Sequence, residues 1–174
     1  HGKFQSHGFQ CAMGTVIMSA CFDEFLKMDL SKIDVDACVA AWPTLEQEQQ
    51  RALEIFKDFP VPQLGYTEIT KKYNDAETVR QQLTKVKENW PELKERIQNQ
   101  VYTYDKMVAL MKSVGAPVGP ESIGLTRAQV RRMVDFVQLM RWRINLFDLC
   151  KRAQIYDALL DRVFGKGGVL EISE

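Results

Sequence analysis

The groups that could do chemistry in this chain are few. There are two histidines, His1 and His7, and four cysteines, Cys11, Cys21, Cys38 and Cys150. A neutral imidazole is a good ligand for a divalent metal. His7 stands where a helix begins, and the backbone dipole there favours the neutral ring that ligation needs. From the residue alone, the plainer reading is a polar group at the start of a buried helix. His1 lies six residues before His7, with Gly2 and Gly8 making the stretch irregular, whereas helical metal pairs come at three or four. The cysteines have neither zinc-ligand spacing nor a disulfide framework. Cys11, Cys21 and Cys150 lie in apolar runs and read as buried free thiols of a reducing compartment. No serine or cysteine has a histidine partner in a recognisable catalytic motif. Gly165-Lys-Gly-Gly168 lacks the spacing and the Ser/Thr of a phosphate loop and reads as a helix stop. No dinucleotide fingerprint occurs.

A second candidate is basic. From Arg127 to Arg152 there are seven basic residues against Asp135 and Asp148, densest at Arg141-Trp-Arg143. Guanidinium groups suit phosphate and carboxylate recognition. The plainer reading is a solvated helix face paired to acidic residues elsewhere. Over the 174 residues, 23 basic and 23 acidic side chains cancel, which argues against a dedicated nucleic-acid binder.

These groups must be carried by helices. From Phe9 to Phe22 there is no charge, and apolar residues fall on every face. That predicts a helix over about 8–28 surrounded by protein, too short and too interrupted by Gln10, Thr15 and Ser19 to span a bilayer. Gly14 either admits a close neighbour or is a tolerated helix glycine. Asp34 caps a short helix to Ala41, which Trp42-Pro43 breaks. Thr44-Leu-Glu-Gln47 and Thr126-Arg-Ala-Gln129 are capping boxes. The stretch 60–65 reads as a loop and 67–73 as a short helix. From Asp75 one apolar stripe runs through Val79, Leu83, Val86, Trp90, Leu93, Ile97, Val101, Tyr104, Val108 and Met111, kinked or restarted at Pro91. Packing against the first helix is the expected use of that stripe, with a coiled-coil partner as the alternative. The stretch 114–125 is a loop. The helix after it should bury Val130, Met133, Val134 and Val137. The stretch 142–150 continues apolar, and a last helix over 155–164 turns Leu159, Leu160 and Val163 inward. The end, 169–172, should pair as an edge strand or fray. The expected fold is all-α, a single domain over 1–174 with seven to nine helices around a buried first helix. The opening His1-Gly-Lys-Phe-Gln-Ser has neither an initiator methionine nor a signal peptide and reads as part of a longer protein.

Three stretches carry a resemblance. His7-Gly-Phe-Gln-Cys-Ala-Met-Gly-Thr15 resembles the His-Gly-x-x-x-x-x-Gly-Thr stretch of sn-glycerol-1-phosphate dehydrogenases. These belong to the metal-dependent alcohol dehydrogenase superfamily, with glycerol dehydrogenase and dehydroquinate synthase. Gly115-Ala-Pro-Val-Gly-Pro-Glu-Ser-Ile-Gly124 is similar to the family's Gly-Ala-Pro-x-x-x-Glu-x-Leu-Gly loop, with Ile123 where leucine is common. Arg141-Trp-Arg-Ile-Asn-Leu-Phe-Asp-Leu149 is similar to the Arg-x-Arg-Tyr-Thr-x-Leu-Asp segment of the bacterial branch, with Ile144 and Asn145 departing from it. The matches keep the family's order.

The resemblance implies a dehydroquinate synthase-like C-terminal helical domain. The nucleotide-binding domain that holds NAD(P) is absent from this chain. The family's zinc, iron or nickel is held by one aspartate and two histidines. His7 corresponds to the last of these; the other two belong upstream, and His1 does not match the earlier histidine. The implied reaction of the intact enzyme interconverts dihydroxyacetone phosphate and sn-glycerol 1-phosphate, and this fragment alone would not be active. The resemblance does not itself assign Arg141 and Arg143, which are candidates for the substrate phosphate or for interdomain ion pairs. The implied partners are the small-molecule substrate, the protein's own N-terminal domain and further copies of itself, with no nucleic acid and no membrane, in the cytoplasm. Two alternatives remain open: a glycerol or other polyol dehydrogenase, or dehydroquinate synthesis, in the same superfamily, and a non-catalytic helical interaction module.

Overall fold

The computed structural model describes residues 6–172 and is all-α. Among the described residues there are ten α-helices, more than the seven to nine expected, and no strand. They are α1 (His7–Lys27), α2 (Val35–Ala40), α3 (Leu45–Phe56), α4 (Gln63–Lys72), α5 (Ala76–Glu88), α6 (Trp90–Gln98), α7 (Tyr104–Ser113), α8 (Arg127–Leu139), α9 (Leu146–Arg152) and α10 (Tyr156–Phe164). Short 3₁₀ turns lie at Leu30–Lys32 and Pro120–Ile123. No described helix is long and apolar enough to cross a membrane.

Local chemistry explains most helix starts. The side chains of Ser6, Asp34, Thr44, Asp75, Thr103 and Asn145 each accept a backbone N–H from the first turn that follows. Both capping boxes form: Gln47 returns a bond to the Thr44 N–H at 2.8 Å, and Gln129 to the Thr126 N–H at 2.8 Å. The stretch 60–65 is only partly loop, because Pro62 supplies the fixed φ of a helix start and α4 begins at Gln63.

The chain divides into two compact units, one formed by residues 6–29, 91–131 and 158–172, the other by 30–90 and 132–157. In the first, α1 packs against α7 and the Pro120–Ile123 turn. The Asp23 carboxylate accepts the Tyr104 N–H at 2.6 Å, setting a negative charge on the N-terminus of α7. Leu159, Leu160 and Val163 of α10 are fully buried, as their spacing predicts. Gly165-Lys-Gly-Gly168 does stop that helix. A Cβ at Gly165 would lie 2.4 Å from the Asp161 carbonyl oxygen, and Gly167 adopts a left-handed φ of 82°. The tail 169–172 neither pairs as a strand nor frays: it folds back, with the Leu170 N–H on the Val163 carbonyl and the Ile172 N–H on the Phe164 carbonyl.

In the second unit, α2 packs on α5 and α3 on α4. Cys38, Val79, Leu83 and Ala153 form one buried cluster; Ala52, Phe56, Ile69 and Leu139 form another. Gly65 of α4 allows the second. Its Cβ would stand 2.7 Å from Phe56 Cδ2, and the Phe56 ring is fully buried between Phe59 and Phe136, with centroids 5.1 and 4.9 Å away. Gly65→Ala should therefore cost about 1–3 kcal/mol of overpacking. That outweighs a helix-propensity gain of at most about 1 kcal/mol. Urea unfolding should show a lower midpoint at unchanged slope; a midpoint equal to the parent's would mean that the ring yields.

Several expectations are corrected. The apolar stripe from Asp75 to Met111 restarts at Pro91 as expected, but it also breaks a second time before Tyr104. Asn89 caps α5, Pro91 sits in the first turn of α6, and α7 restarts after Thr103 and buries no residue. The start of α1 is not surrounded by protein: Phe9 is 42% exposed, and burial begins at Ala12. Nothing approaches a Cβ at Gly14 within 4 Å, so it is a tolerated glycine. In α8, Val130 and Val134 are buried but Met133 and Val137 are 44% and 43% exposed. The stretch 142–150 is interrupted: Trp142 and Ile144 lie exposed in a loop, and α9 starts only after Asn145.

Candidate functional site

Ser6 fixes the first turn of α1 by accepting the Phe9 N–H at 3.3 Å, and His7 is the first helical residue, exposed. One turn on stands Cys11. Its thiol is exposed, not buried as its apolar sequence neighbours suggested. Residues four apart share a helix face, and Cys11 Sγ lies 3.4 Å from His7 Nε2 and 4.0 Å from Nδ1. The contact joins neighbours one helical turn apart and forms no recognisable catalytic motif. The other three thiols are buried; burial pushes Cys21 up to about 12 and raises Cys38 as well, with the Asp34 charge a lesser cause for Cys38.

The His7–Cys11 pair can donate to a metal or share a hydrogen bond. No cluster of three or more His, Cys, Asp or Glu able to hold a metal occurs among the described residues. His1 lies outside them. His7 fits a ligand role by its donor chemistry and its exposure, but a full coordination sphere needs donors from beyond these residues.

The Gly115–Gly124 loop belongs to the same unit as α1. It turns on Gly115 and Gly124, with φ of 68° and 77°, and its 3₁₀ turn Pro120–Ile123 packs on α1. Glu121 is held below the usual carboxylate range by its own backbone N–H first and by Arg127, at 2.9 Å, against partial desolvation.

Arg141 and Arg143 lie in the other unit, on the exposed loop between α8 and α9. The Arg143 guanidinium stands 5.8 Å over the Trp142 ring. Glu68 accepts from Lys71 Nζ and from the Trp142 N–H, each at 2.7 Å. These bonds, Lys71 foremost, hold Glu68 below its ordinary range against desolvation, and the Arg141 charge assists.

A buried polar network that the sequence did not reveal crosses the same unit. Lys72 and Asp148 pair at 2.7 Å with side chains only 2% and 5% exposed. Lys72 also donates to the Gln138 carbonyl, Gln138 Nε2 to Asp148 at 2.7 Å, and Arg51 to Gln138 Oε1 at 2.7 Å. Arg152 bonds Gln82 and Asn74 through its two terminal nitrogens, while its buried Nε has no hydrogen-bond partner.

The fold defines an all-α, multi-helix protein. The chain matches no family model, no curated protein and no solved structure.

Proposed function

We propose that this chain is the helical, metal-binding part of an NAD(P)-dependent enzyme resembling sn-glycerol-1-phosphate dehydrogenase, interconverting dihydroxyacetone phosphate and sn-glycerol 1-phosphate. One observation carries the reading. Two of the resembling stretches lie in one unit: His7–Thr15 opens α1, the Pro120–Ile123 turn of the Gly115–Gly124 loop packs on that helix, and His7 is open to a ligand. His7 would give one ring nitrogen to a zinc, nickel or iron ion, with the family's aspartate and earlier histidine supplied from outside this chain. When bound, the metal serves as a Lewis acid on the substrate carbonyl and NAD(P)H, held by the protein's N-terminal domain, supplies the hydride.

The chain's own share is positional. Ser6 fixes the first turn of α1 and so the place of the His7 ring. Arg141 and Arg143, in the other unit, keep exposed guanidiniums of the kind that recognise phosphates. The free thiols accord with work in the cytoplasm.

The test is NAD(P)H oxidation by the full-length protein with metal added, comparing dihydroxyacetone phosphate with dihydroxyacetone. The phosphate ester should have the higher kcat/KM by roughly tenfold or more, the worth of one charge-assisted contact of about 1.5–3 kcal/mol. Equal use of both substrates would point to a polyol dehydrogenase. Turnover of neither, with metal and both nucleotides tried, would remove the dehydrogenase reading.

A further inference from the structure

We propose that the end of α8 and the loop after it form a docking surface for an acidic, amphipathic segment of a partner protein, which covers Trp142 and Ile144 and brings carboxylates to Arg141 and Arg143. The surface lies in the unit that does not hold His7, and nothing in it depends on the dehydrogenase reading. Four large apolar side chains stay in solvent there. Met133 and Val137, one turn apart on α8, are 44% and 43% exposed, and Trp142 and Ile144 in the loop are 55% and 54% exposed. The backbone beneath them is pinned. The Trp142 N–H donates to Glu68 at 2.7 Å, and Asn145 Nδ2 donates to the Val137 carbonyl at 3.4 Å, which folds the end of the loop back onto α8. A grouped apolar patch on a surface marks an interaction site, and a fixed backbone leaves less to order when a partner arrives.

Charge selects the occupant. From Phe136 to Phe147 the sequence holds Arg141 and Arg143 and no acidic residue. The Arg141 charge reaches Glu68, but the two oxygens of that carboxylate are taken by Lys71 Nζ and the Trp142 N–H. Neither Arg141 nor Arg143 forms an ion pair among the described residues. Two copies of this surface would set arginine against arginine, which disfavours a symmetric self-contact. Anionic bilayers are bound by clusters of about 4–8 basic residues, and this loop has two. A protein segment with an apolar stripe edged by Asp or Glu meets both features. Tryptophan, methionine and arginine are the side chains that protein interfaces enrich, and a guanidinium takes a carboxylate through two parallel hydrogen bonds.

The probe is a displayed library of random peptides, each long enough for about four helical turns, selected against the immobilised whole chain. Enriched sequences should carry apolar residues three and four apart, flanked by Asp or Glu. A synthetic copy of one should bind the parent with a Kd that rises roughly tenfold or more in Trp142→Ser, the effect of truncating an interface anchor. Arg141→Gln/Arg143→Gln should weaken binding and remove most of its salt dependence. Val114→Ser, an exposed apolar position of the other unit, should change nothing. Phosphate recognition by the same two guanidiniums would not need Trp142 or Ile144, so their loss separates docking from it. An unchanged far-ultraviolet circular dichroism spectrum verifies the fold of each variant. A library that yields no binder, selected peptides without carboxylates, or peptides that bind Trp142→Ser as tightly as the parent overturn the surface. So does Trp142-dependent binding to vesicles of phosphatidylcholine and phosphatidylserine with no acidic peptide selected, which would make the loop a membrane contact instead.

Discussion

Asp148→Ala should lower the unfolding free energy by about 3–5 kcal/mol, the cost of leaving one partner of a buried ion pair uncompensated. Three contacts go at once. Lys72 loses its carboxylate at 2.7 Å, Gln138 Nε2 loses its acceptor, and the Asn145 N–H at the start of α9 loses the capping-box bond from Asp148 Oδ2 at 2.9 Å. The loss should be lopsided. Lys72→Met leaves Asp148 with the Gln138 and Asn145 bonds and removes a charge that burial disfavours, so it should cost less than Asp148→Ala. The double variant Lys72→Met/Asp148→Leu should recover most of the Asp148→Ala loss, because apolar replacement of a buried pair is often close to neutral. The pH dependence has a definite sign. Burial, the largest influence, holds the Lys72 pKa below its ordinary 10.5, with the Asp148 charge and hydrogen bond opposing it. Between that lowered value and 10.5 the unfolded chain binds more protons, so the Lys72 contribution to stability rises with pH across the window. Lys72→Met should flatten that rise. Urea unfolding of the parent and three variants measures all of this; a loss below about 1 kcal/mol in Asp148→Ala would mean the pair is solvated.

The helix starts were legible because their causes are local. Asp34, Thr44, Asp75 and Thr126 announce themselves by a side-chain oxygen placed just before an apolar period, and each caps as its spacing predicts. Leu159, Leu160 and Val163 were legible for the same reason. Periodicity names a helix face but not what covers it. Met133 and Val137 lie on the face that buries Val130 and Val134, yet half of it stays in solvent. The stripe from Val79 to Met111 kept its period across two breaks, since Asn89 and Thr103 end and restart helices without disturbing the spacing. Cys11 was misread because apolar neighbours in sequence say nothing of neighbours in space; the four-residue step from His7 was the signal that could have found it. Lys72 and Asp148 offered no signal at all. A lysine beside Lys71 and an aspartate at a helix start are both ordinary surface patterns, and only the tertiary packing of α4, α8 and α9 brings them together.

His7→Ala in the full-length protein should abolish metal-dependent turnover of dihydroxyacetone phosphate, a fall of more than roughly 100-fold. Removing a group that only orients a ligand already costs 10–100-fold in metal affinity or activity, and His7 is read as a ligand itself. The change should be confined to the metal. His7 is exposed on the first turn of α1, the Ser6 cap does not depend on its ring, and the buried residues of the helix begin at Ala12. Helix content and nucleotide binding should therefore match the parent, while metal content per protein, measured after gel filtration in metal-free buffer, falls with activity. The placement of the ring makes a further distinction. If His7 served only as a polar helix start, His7→Asn would restore function, since asparagine caps and begins helices well. As a ligand, His7 tolerates no such exchange, and His7→Asn should be as inactive as His7→Ala. Activity kept by either variant with metal still bound would take His7 out of the site.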